Sequence, residues 1–569
     1  MSVVLSEQEI LRRNSLQKLQ ELGIDPYPAE TFPVSHWAKQ VEENFVEKQE
    51  VCMAGRLMGV RLMGKAAFAE LQDSTGRMQI YVNRDELCPT EDKTLYNEVF
   101  KKLLDIGDFI GIKGYLFTTQ TGEKSVHVSE LTLLAKSLKP LPVVKIDQDG
   151  KVHDAFSDPE LRYRQRYVDL VVNEKVRETF KKRIKITQVM RDYFNQNGYL
   201  EVETPILQPI PGGAAAKPFT THHNALDMEL YLRIAPELYL KRLIAGGFDG
   251  VYEFAKNFRN EGVDRTHNPE FTGMEIYVAY KDYIWMMAFT ENLLERVAQE
   301  VCGNTAVQIG DKQVDFKAPY LRISIRDAIL KYAHFDIEGK TRTELAQFCS
   351  TIGIEVTESM GVGKLIDEIF GAKCEKQFVQ PTFIIDYPVE MSPLTKKHRN
   401  NPNLTERFEL IVNGKEIANA YTELNDPLDQ RARFESQMQL LEKGDDEAMF
   451  IDQDFLRALE YGMPPTAGLG IGIDRLCMYL TNQESIQEVL FFPQLRAEKW
   501  AALPKASDFE AIGVDADWAE HLVHIFKSVE DMQGLKLGQL QQKLSEYRKK
   551  QKLELTLPNS EVLQSWLIV

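Results

Sequence analysis

The longest apolar stretch of the chain is Ala467–Leu480, AGLGIGIDRLCMYL, and Asp474 and Arg475 interrupt it. A membrane span needs roughly 18 uninterrupted apolar residues, so the chain has to bury its apolar side chains against one another. Gly468, Gly470 and Gly472 recur with the period of a strand. They strip one strand face of side chains, as the close approach of a ligand requires. Leu476, Met478, Tyr479 and Leu480 then continue as an apolar helix pattern. The spacing is a poor fit to the dinucleotide fingerprint G-x-G-x-x-G, and the phosphate loop G-x-x-x-x-G-K-[ST] does not occur. Arg475 falls near a helix N-terminus, where a cation is disfavoured. A bound anion relieves that, or an ion pair with Asp474 or another acid.

The 569 residues allow about three to five domains. Sixty-eight basic against 85 acidic residues leave a net charge of -17. That argues against non-specific adhesion to nucleic acid or anionic membrane, but not against a local basic patch. The six cysteines are scattered with no C-x-x-C pair. Neither a zinc knuckle nor a disulfide framework is indicated, and a reducing cytosol fits. The start MSVVLSEQEILRR has no apolar signal core, so a cytoplasmic location is expected.

The expected fold is α+β and multidomain. Residues 1–50 read as a helical segment, with apolar points at Ile10, Leu11, Leu16, Leu19 and Leu22. Residues 51–140 read as short strands, and 141–157 as a linker. Residues 158–497 mix strands and helices, with a helical insertion at about 325–380. Residues 498–569 are helical in pattern.

In the first strand zone, Ala67, Ala69 and Leu71 share a face, and so do Met78, Ile80 and Val82 across the turn at Asp73–Gly76. Phe68 therefore sits among polar residues, near Arg56, Arg61, Lys65 and Arg77. Such an aromatic suits base stacking, at about 1–3 kcal/mol per base, with phosphate contacts alongside. Packing under a loop is the other reading. Five such strands suit an OB barrel.

Four segments of the second half carry candidate chemistry. An amphipathic helix over 181–196, with Ile184, Ile186, Val189 and Tyr193 as apolar points, leads to a strand, Pro205 and the Pro211-Gly212-Gly213 loop. In residues 251–280, strand alternation groups Asn257, Arg259 and Glu261. It also groups Phe271, Gly273, Glu275 and Tyr277 opposite Met274, Ile276 and Val278. In residues 407–427, Asn413-Gly414 is a strong hairpin signal. A two-residue turn pairs Ile411 with Glu416 and Glu409 with Ala418. Glu409 and Glu416 are then diagonal neighbours, about 7–8 Å apart. Carboxylates that close repel unless a cation bridges them or one is protonated, and Mg²⁺ carrying nucleotide phosphates is a natural bridge. Asn419 and Glu423 join that face only if the strand bulges or ends near Ala418–Ala420. The fourth segment is the glycine strand.

Helix–strand–Pro205, then FRNE with His267 and Phe271, then GLGIGIDR, resemble the three motifs of class II aminoacyl-tRNA synthetases. Within that class, IPGGAAAKPF, APELYLKRL, NFRNEG, HNPEFTGMEIY and NGKEIANAYTELNDP resemble the bacterial-type lysyl-tRNA synthetases over residues 6–497. The resemblance implies an N-terminal OB-fold barrel that binds the anticodon, and a catalytic antiparallel sheet flanked by helices. It implies a ligase that uses ATP and Mg²⁺ to activate L-lysine and charge tRNA(Lys), working as a homodimer without a membrane. Carried over residue by residue, Arg259 and Arg475 are the catalytic cations. Arg259, Glu261, His267, Asn268, Phe271, Glu409, Glu416 and Arg475 bind ATP, with Glu409 and Glu416 on the metal. Gly213, Glu237, Arg259, Glu275, Tyr277, Asn419 and Glu423 bind lysine. Phe68, Gln79 and Glu130 read the anticodon, which favours the stacking role for Phe68. Two rivals are a related ligase that lysylates a protein and a catalytically silent paralogue.

The chain continues past FFPQLRAEKW, where members of the family usually end. There Leu537, Leu540, Leu544 and Tyr547 take helical spacing beside Lys543, Arg548, Lys549, Lys550 and Lys552. A helix docked on its own domain is the favoured reading over one that touches tRNA.

Overall fold

Glu50–Met63 (β1), Ala66–Gln72 (β2), Arg77–Asn83 (β3), Phe109–Thr118 (β4) and Lys124–Ala135 (β5) close into a barrel in the order β1-β2-β3-β5-β4. The computed structural model describes residues 5–142, 145–146, 152–153, 156–214, 216–358, 360–441, 450–496, 504–526, 528–551 and 553–567. Most of the 141–157 linker, Ala215, Lys552 and the start of the 498–569 extension lie outside the described residues. The chain divides into two units, Met1–Ala155 with Arg496–Val569, and Phe156–Leu495.

Strand alternation explains the barrel. Ala67, Ala69, Leu71, Met78, Ile80 and Val82 all point into its core, as the pattern requires. The preceding helix Glu7–Glu21 (α1) starts with Ser6, which caps Glu9 and is capped by it in return. Its buried face differs from the expected stripe. Ile10 and Leu11 are about half exposed, whereas Arg12 is buried and donates to the carbonyls of Ile106 and Ser137. An arginine stem covers apolar surface while its head finds carbonyls, which an apolar count cannot anticipate.

The C-terminal helices gather around Phe509, Trp518, Leu522, Phe526, Leu540, Leu544, Leu563 and Trp566. The helix Leu537–Gln551 thus docks on its own small core, with Lys543, Lys549 and Lys550 exposed.

The second unit is built on an eight-stranded sheet. Its elements are Glu174–Gln196 (α2), Leu200–Glu201 (β6), Glu237–Ala245 (α3), Gly250–Phe258 (β7), Glu270–Ala279 (β8), Tyr283–Cys302 (α4), Leu321–Ser324 (β9), Ile325–Ala333 (α5), Arg342–Thr351 (α6), Val362–Lys373 (α7), Thr382–Ile385 (β10), Arg407–Val412 (β11), Lys415–Thr422 (β12), Thr466–Gly472 (β13) and Ile473–Leu480 (α8). The sheet order is β9-β10-β11-β12-β13-β8-β7-β6, antiparallel except for the two edge pairs β9–β10 and β7–β6. One face packs Met274, Ile276, Val278, Leu469 and Ile471 against α2, α4 and α8. Helix α2 begins earlier than expected, and Ile184 is exposed while Ile186 and Val189 are buried. Helices α5–α7 form the insertion, with a core of their own that covers Ile411.

Candidate active site

Sheet register assembles the other face row by row. Glu409 pairs with Asn419, Asn419 with Gly470, Gly470 with Glu275, and Glu275 with Glu253. In the next row Arg407, Tyr421, Gly468 and Tyr277 run across four of these five strands, β11, β12, β13 and β8. Residues opposite one another in such rows point to the same side.

The hairpin at Asn413-Gly414 forms, and Ile411 faces Glu416 as expected. The next pair is Leu410 with Ala418, so Ile417 is an extra residue in β12. The expected pairing of Glu409 with Ala418 is therefore corrected to Glu409 with Asn419. A bulge re-aims every later side chain, and this one brings Asn419 and Tyr421 onto the face of Glu416. Glu409 gives one oxygen to Arg407 Nη2 at 2.5 Å. Burial, with Glu416 repelling it, pushes the Glu409 carboxyl up to about 7 even beside Arg407.

At the opposite end three carboxylates converge. Helix α3 supplies Glu237 and, one turn later, Lys241, whose ammonium lies 2.6 Å from Glu237 Oε1 and in closer contact with Glu423 Oε2. Tyr421 donates to Glu237 Oε2 at 2.8 Å, and Tyr277 donates to Glu275 Oε2 at 2.9 Å. Burial, then the charge of Glu237, pushes Glu275 up to about 8. Glu423 is also raised, by burial and by acids that outnumber Lys241. Burial disfavours the Lys241 ammonium, but Glu237 and Glu423 outweigh it and hold its pKa above the ordinary value. Glu423 is thus partly committed to a lysine of the protein itself, where the sequence reading has it free for a ligand.

The glycines of β13 serve these side chains first. A Cβ on Gly468 would overlap Glu423 Oε1 and lie 2.6 Å from Tyr277 Cε1. Gly470 opens toward Glu275, with its nearest neighbour, Cγ, 3.7 Å from a would-be Cβ. Gly213, at φ +88°, lays its loop against Glu237; a Cβ there would meet the Glu237 Cβ at 3.1 Å.

The cationic end lies at the exits of β7 and β13. Strand β7 ends at Phe258, so Arg259 and Glu261 do not continue the alternation from Asn257. Arg259 is half-buried over the Phe271 ring at 5.1 Å, and its buried Nε has no acceptor. Arg475 donates to the Glu416 carbonyl. Asp474 is not its partner. That carboxylate binds Arg183 at 2.6 Å and the Thr272 N–H at 2.7 Å. Glu261 and His267 are exposed, and His267 bonds Asp264, whose carboxyl it holds well below the usual range. Asn268 is spent on backbone, donating to the Glu270 carbonyl and accepting from the Gln494 N–H.

On the outside of the barrel Phe68 packs on Tyr81 at 5.1 Å, Tyr81 on His127 at 4.9 Å, and His127 stacks on Tyr115 at 4.8 Å. Gln79 donates to Ser125 Oγ, and Glu130 pairs with Lys113 at 2.6 Å. Of the neighbouring cations, Arg77 pairs with Glu70 and Arg56 lies over Phe109.

Sequence reasoning missed Lys241, Arg407 and Tyr421, and the extra aromatics Tyr81, Tyr115 and His127. Glu237 and Lys241 have the i,i+4 spacing of an ordinary surface ion pair, and only the buried position of α3 makes them part of the site. Among the described residues no group of three or more His, Cys, Asp or Glu is placed to hold a metal ion. Glu409 and Glu416 fit a hard cation that takes its other ligands from a phosphate chain. Burial first, and the charge of Glu416 after it, drive Glu409 toward protonation, and cation binding relieves that.

Known proteins share this chain's sequence over nearly its whole length. The family model for class II tRNA synthetases (D, K and N) matches residues 158–496, and that for the OB-fold nucleic acid binding domain matches 51–134. A protein of Porphyromonas gingivalis named lysine–tRNA ligase is 61% identical over 568 residues, covering 99% of this chain and 98% of that relative. One of Christiangramia forsetii with the same name is 67% identical over 497 residues, or 87% of each chain. One of Azobacteroides pseudotrichonymphae is 62% identical over 498 residues, covering 87% of this chain and 99% of its own. With a catalytic-domain match over more than half its length and relatives this similar from end to end, the chain belongs to the class II tRNA synthetases of the D, K and N group.

Proposed function

We propose that the chain is a lysine–tRNA ligase, which activates L-lysine with ATP and transfers the lysyl group to the 3′-hydroxyl of the terminal adenosine of tRNA(Lys). The observation that carries this reading is the polarity of one sheet face. Three buried carboxylates and two phenols stand at one end, and two arginines with no carboxylate partner among the described ion pairs stand at the other. An amino acid with an ammonium side chain suits the acid end. A triphosphate suits the arginine end.

In this reading the lysine carboxylate, already ionised at neutral pH, attacks the α-phosphorus in line, and the bond to pyrophosphate breaks. The adenosine hydroxyl then attacks the lysyl carbonyl, AMP leaves, and the hydroxyl proton goes with it. No side-chain nucleophile is required. Arg259 would meet the lysine carboxylate and the α-phosphate, and Arg475 the far phosphates, so their charge opposes the negative charge that develops. Positioning between the two ends supplies the remaining acceleration. Magnesium held by Glu409 and Glu416 would neutralise the phosphates when bound. Phe271 offers an aromatic plate for adenine, with His267, Asn268 and Glu261 nearby in sequence. Gly213, Glu237, Glu275, Tyr277, Asn419 and Glu423 would surround the lysine. Phe68, Gln79 and Glu130 would read the anticodon, supported by the aromatic row on the barrel.

A homodimer is part of the proposal, supported by the resemblance of helix–strand–Pro205 to the first class II motif. No described helix is long and apolar enough to cross a membrane. The reading is tested by lysine-dependent ATP–pyrophosphate exchange followed by charging of tRNA. Exchange and charging are both expected. Exchange without charging would favour a ligase acting on another acceptor, and neither would favour a silent paralogue.

A further inference from the structure

Lys241 is 0% exposed and lies at the centre of the acid pocket. Its ammonium bridges Glu237 Oε1 and Glu423 Oε2, 5.5 Å from the centre of the Tyr421 ring and 6.0 Å from that of Phe455. The remaining oxygens are unequal. Glu237 Oε2 receives Tyr421 and Glu275 Oε2 receives Tyr277, while Glu423 Oε1 is buried with no hydrogen-bond donor. Glu237 and Glu423 share this one ammonium, and Glu275, raised to about 8, stays mostly protonated at neutral pH until a further cation arrives. An amino acid with a cationic side chain brings two ammonium groups, and its carboxylate has Arg259 to meet.

We propose that Lys241 is the positioning residue that sets the selectivity of this pocket for a side-chain cation over a neutral isostere. It clamps Glu237 and Glu423 so that their second oxygens face the substrate as acceptors. The inference rests on the lysine-activating reading above and deepens it. A buried carboxylate without a cation takes up a proton, and a protonated carboxyl can donate as well as accept. Without Lys241 the pocket therefore gains a hydroxyl donor that welcomes a neutral hydroxyl and opposes an ammonium, which can only donate.

The test is ATP–pyrophosphate exchange by the full chain with L-lysine and with L-6-hydroxynorleucine, whose side chain ends in a hydroxyl. Wild type is compared with Lys241→Met, Lys241→Gln and Lys241→Arg, each checked by thermal melting. Lys241→Met or Lys241→Gln should lower the kcat/KM ratio of lysine over the analogue at least about tenfold. Lysine KM should rise while ATP KM stays within about twofold, a split that a general packing defect does not produce. Lys241→Arg keeps the charge and should keep most of the ratio. A folded Met or Gln variant with an unchanged ratio would overturn the proposal. If neither folds, loss of the ratio in a folded Lys241→Arg would do so. Wild type without lysine-dependent exchange would instead overturn the functional reading itself.

Discussion

Gly468→Ala puts one methyl group into the most crowded part of the site. Its Cβ would overlap Glu423 Oε1 and approach the Tyr277 ring at 2.6 and 2.9 Å. Glu423 is 0% and Tyr277 3% exposed, so neither can swing into solvent. Glu423 is further held by Lys241 and Tyr277 by its bond to Glu275. Overpacking of this kind costs about 1–3 kcal/mol. If the strain is taken up by moving either side chain out of the binding geometry, lysine kcat/KM falls roughly 5- to 150-fold. ATP KM should change far less, because the arginine end lies beyond the strand exits. Gly371→Ala, in α7, is the control, since its Cβ would meet nothing within 4 Å. Pyrophosphate exchange at varied lysine and varied ATP separates the two constants. A Gly468→Ala enzyme with wild-type lysine KM would refute the claim that Glu423 and Tyr277 shape the substrate pocket.

Glu275 is raised to about 8, so in the empty pocket at pH 7 it is mostly protonated. An incoming ammonium, itself charged up to a pKa near about 10.4, needs it ionised. Lysine kcat/KM should therefore rise as pH rises toward 8, and Glu275→Gln should abolish that limb; a limb that survives removes Glu275 from the pocket. The same shift stabilises the fold fully below the ordinary value of 4.5, a contribution lost as pH rises through about 8. Glu409→Gln should raise the Mg²⁺ concentration needed for half-maximal exchange while leaving lysine KM unchanged, and an unaltered Mg²⁺ requirement would count against the metal role. Deleting residues 500–569 should leave lysine-dependent exchange intact, because those helices pack on a core of their own. Loss of exchange in a folded truncation would show the extension to be part of the catalytic machinery. An unchanged salt dependence of tRNA affinity would exclude tRNA contact by its lysines.

Period-two alternation was enough to place the barrel faces, the buried side of β8 and the glycine strand, because one face of each is covered by core. The Asn413-Gly414 turn located the hairpin for a local reason, its backbone conformation. The bulge at Ile417 was not legible. In the run Glu416–Ile417–Ala418 two successive apolar residues fit either strand face, and only the tertiary core decides. The face of α1 was misread because a buried arginine looks polar in sequence. Lys241 was missed because a glutamate and a lysine one helical turn apart usually sit in solvent. The roles of Arg259 and Phe271 came from family resemblance. The residues alone show neither that the guanidinium lacks an acceptor nor that it rests on the ring.

In the proposed function the acid end of the sheet captures a side-chain ammonium. Titration calorimetry of the wild-type chain with L-lysine and with L-norleucine, which keeps the α-amino acid and loses the side-chain charge, tests it most directly. Measurable lysine binding that Glu275→Gln weakens is expected, with norleucine binding weaker by at least about a hundredfold. Comparable affinities for the two ligands would contradict it.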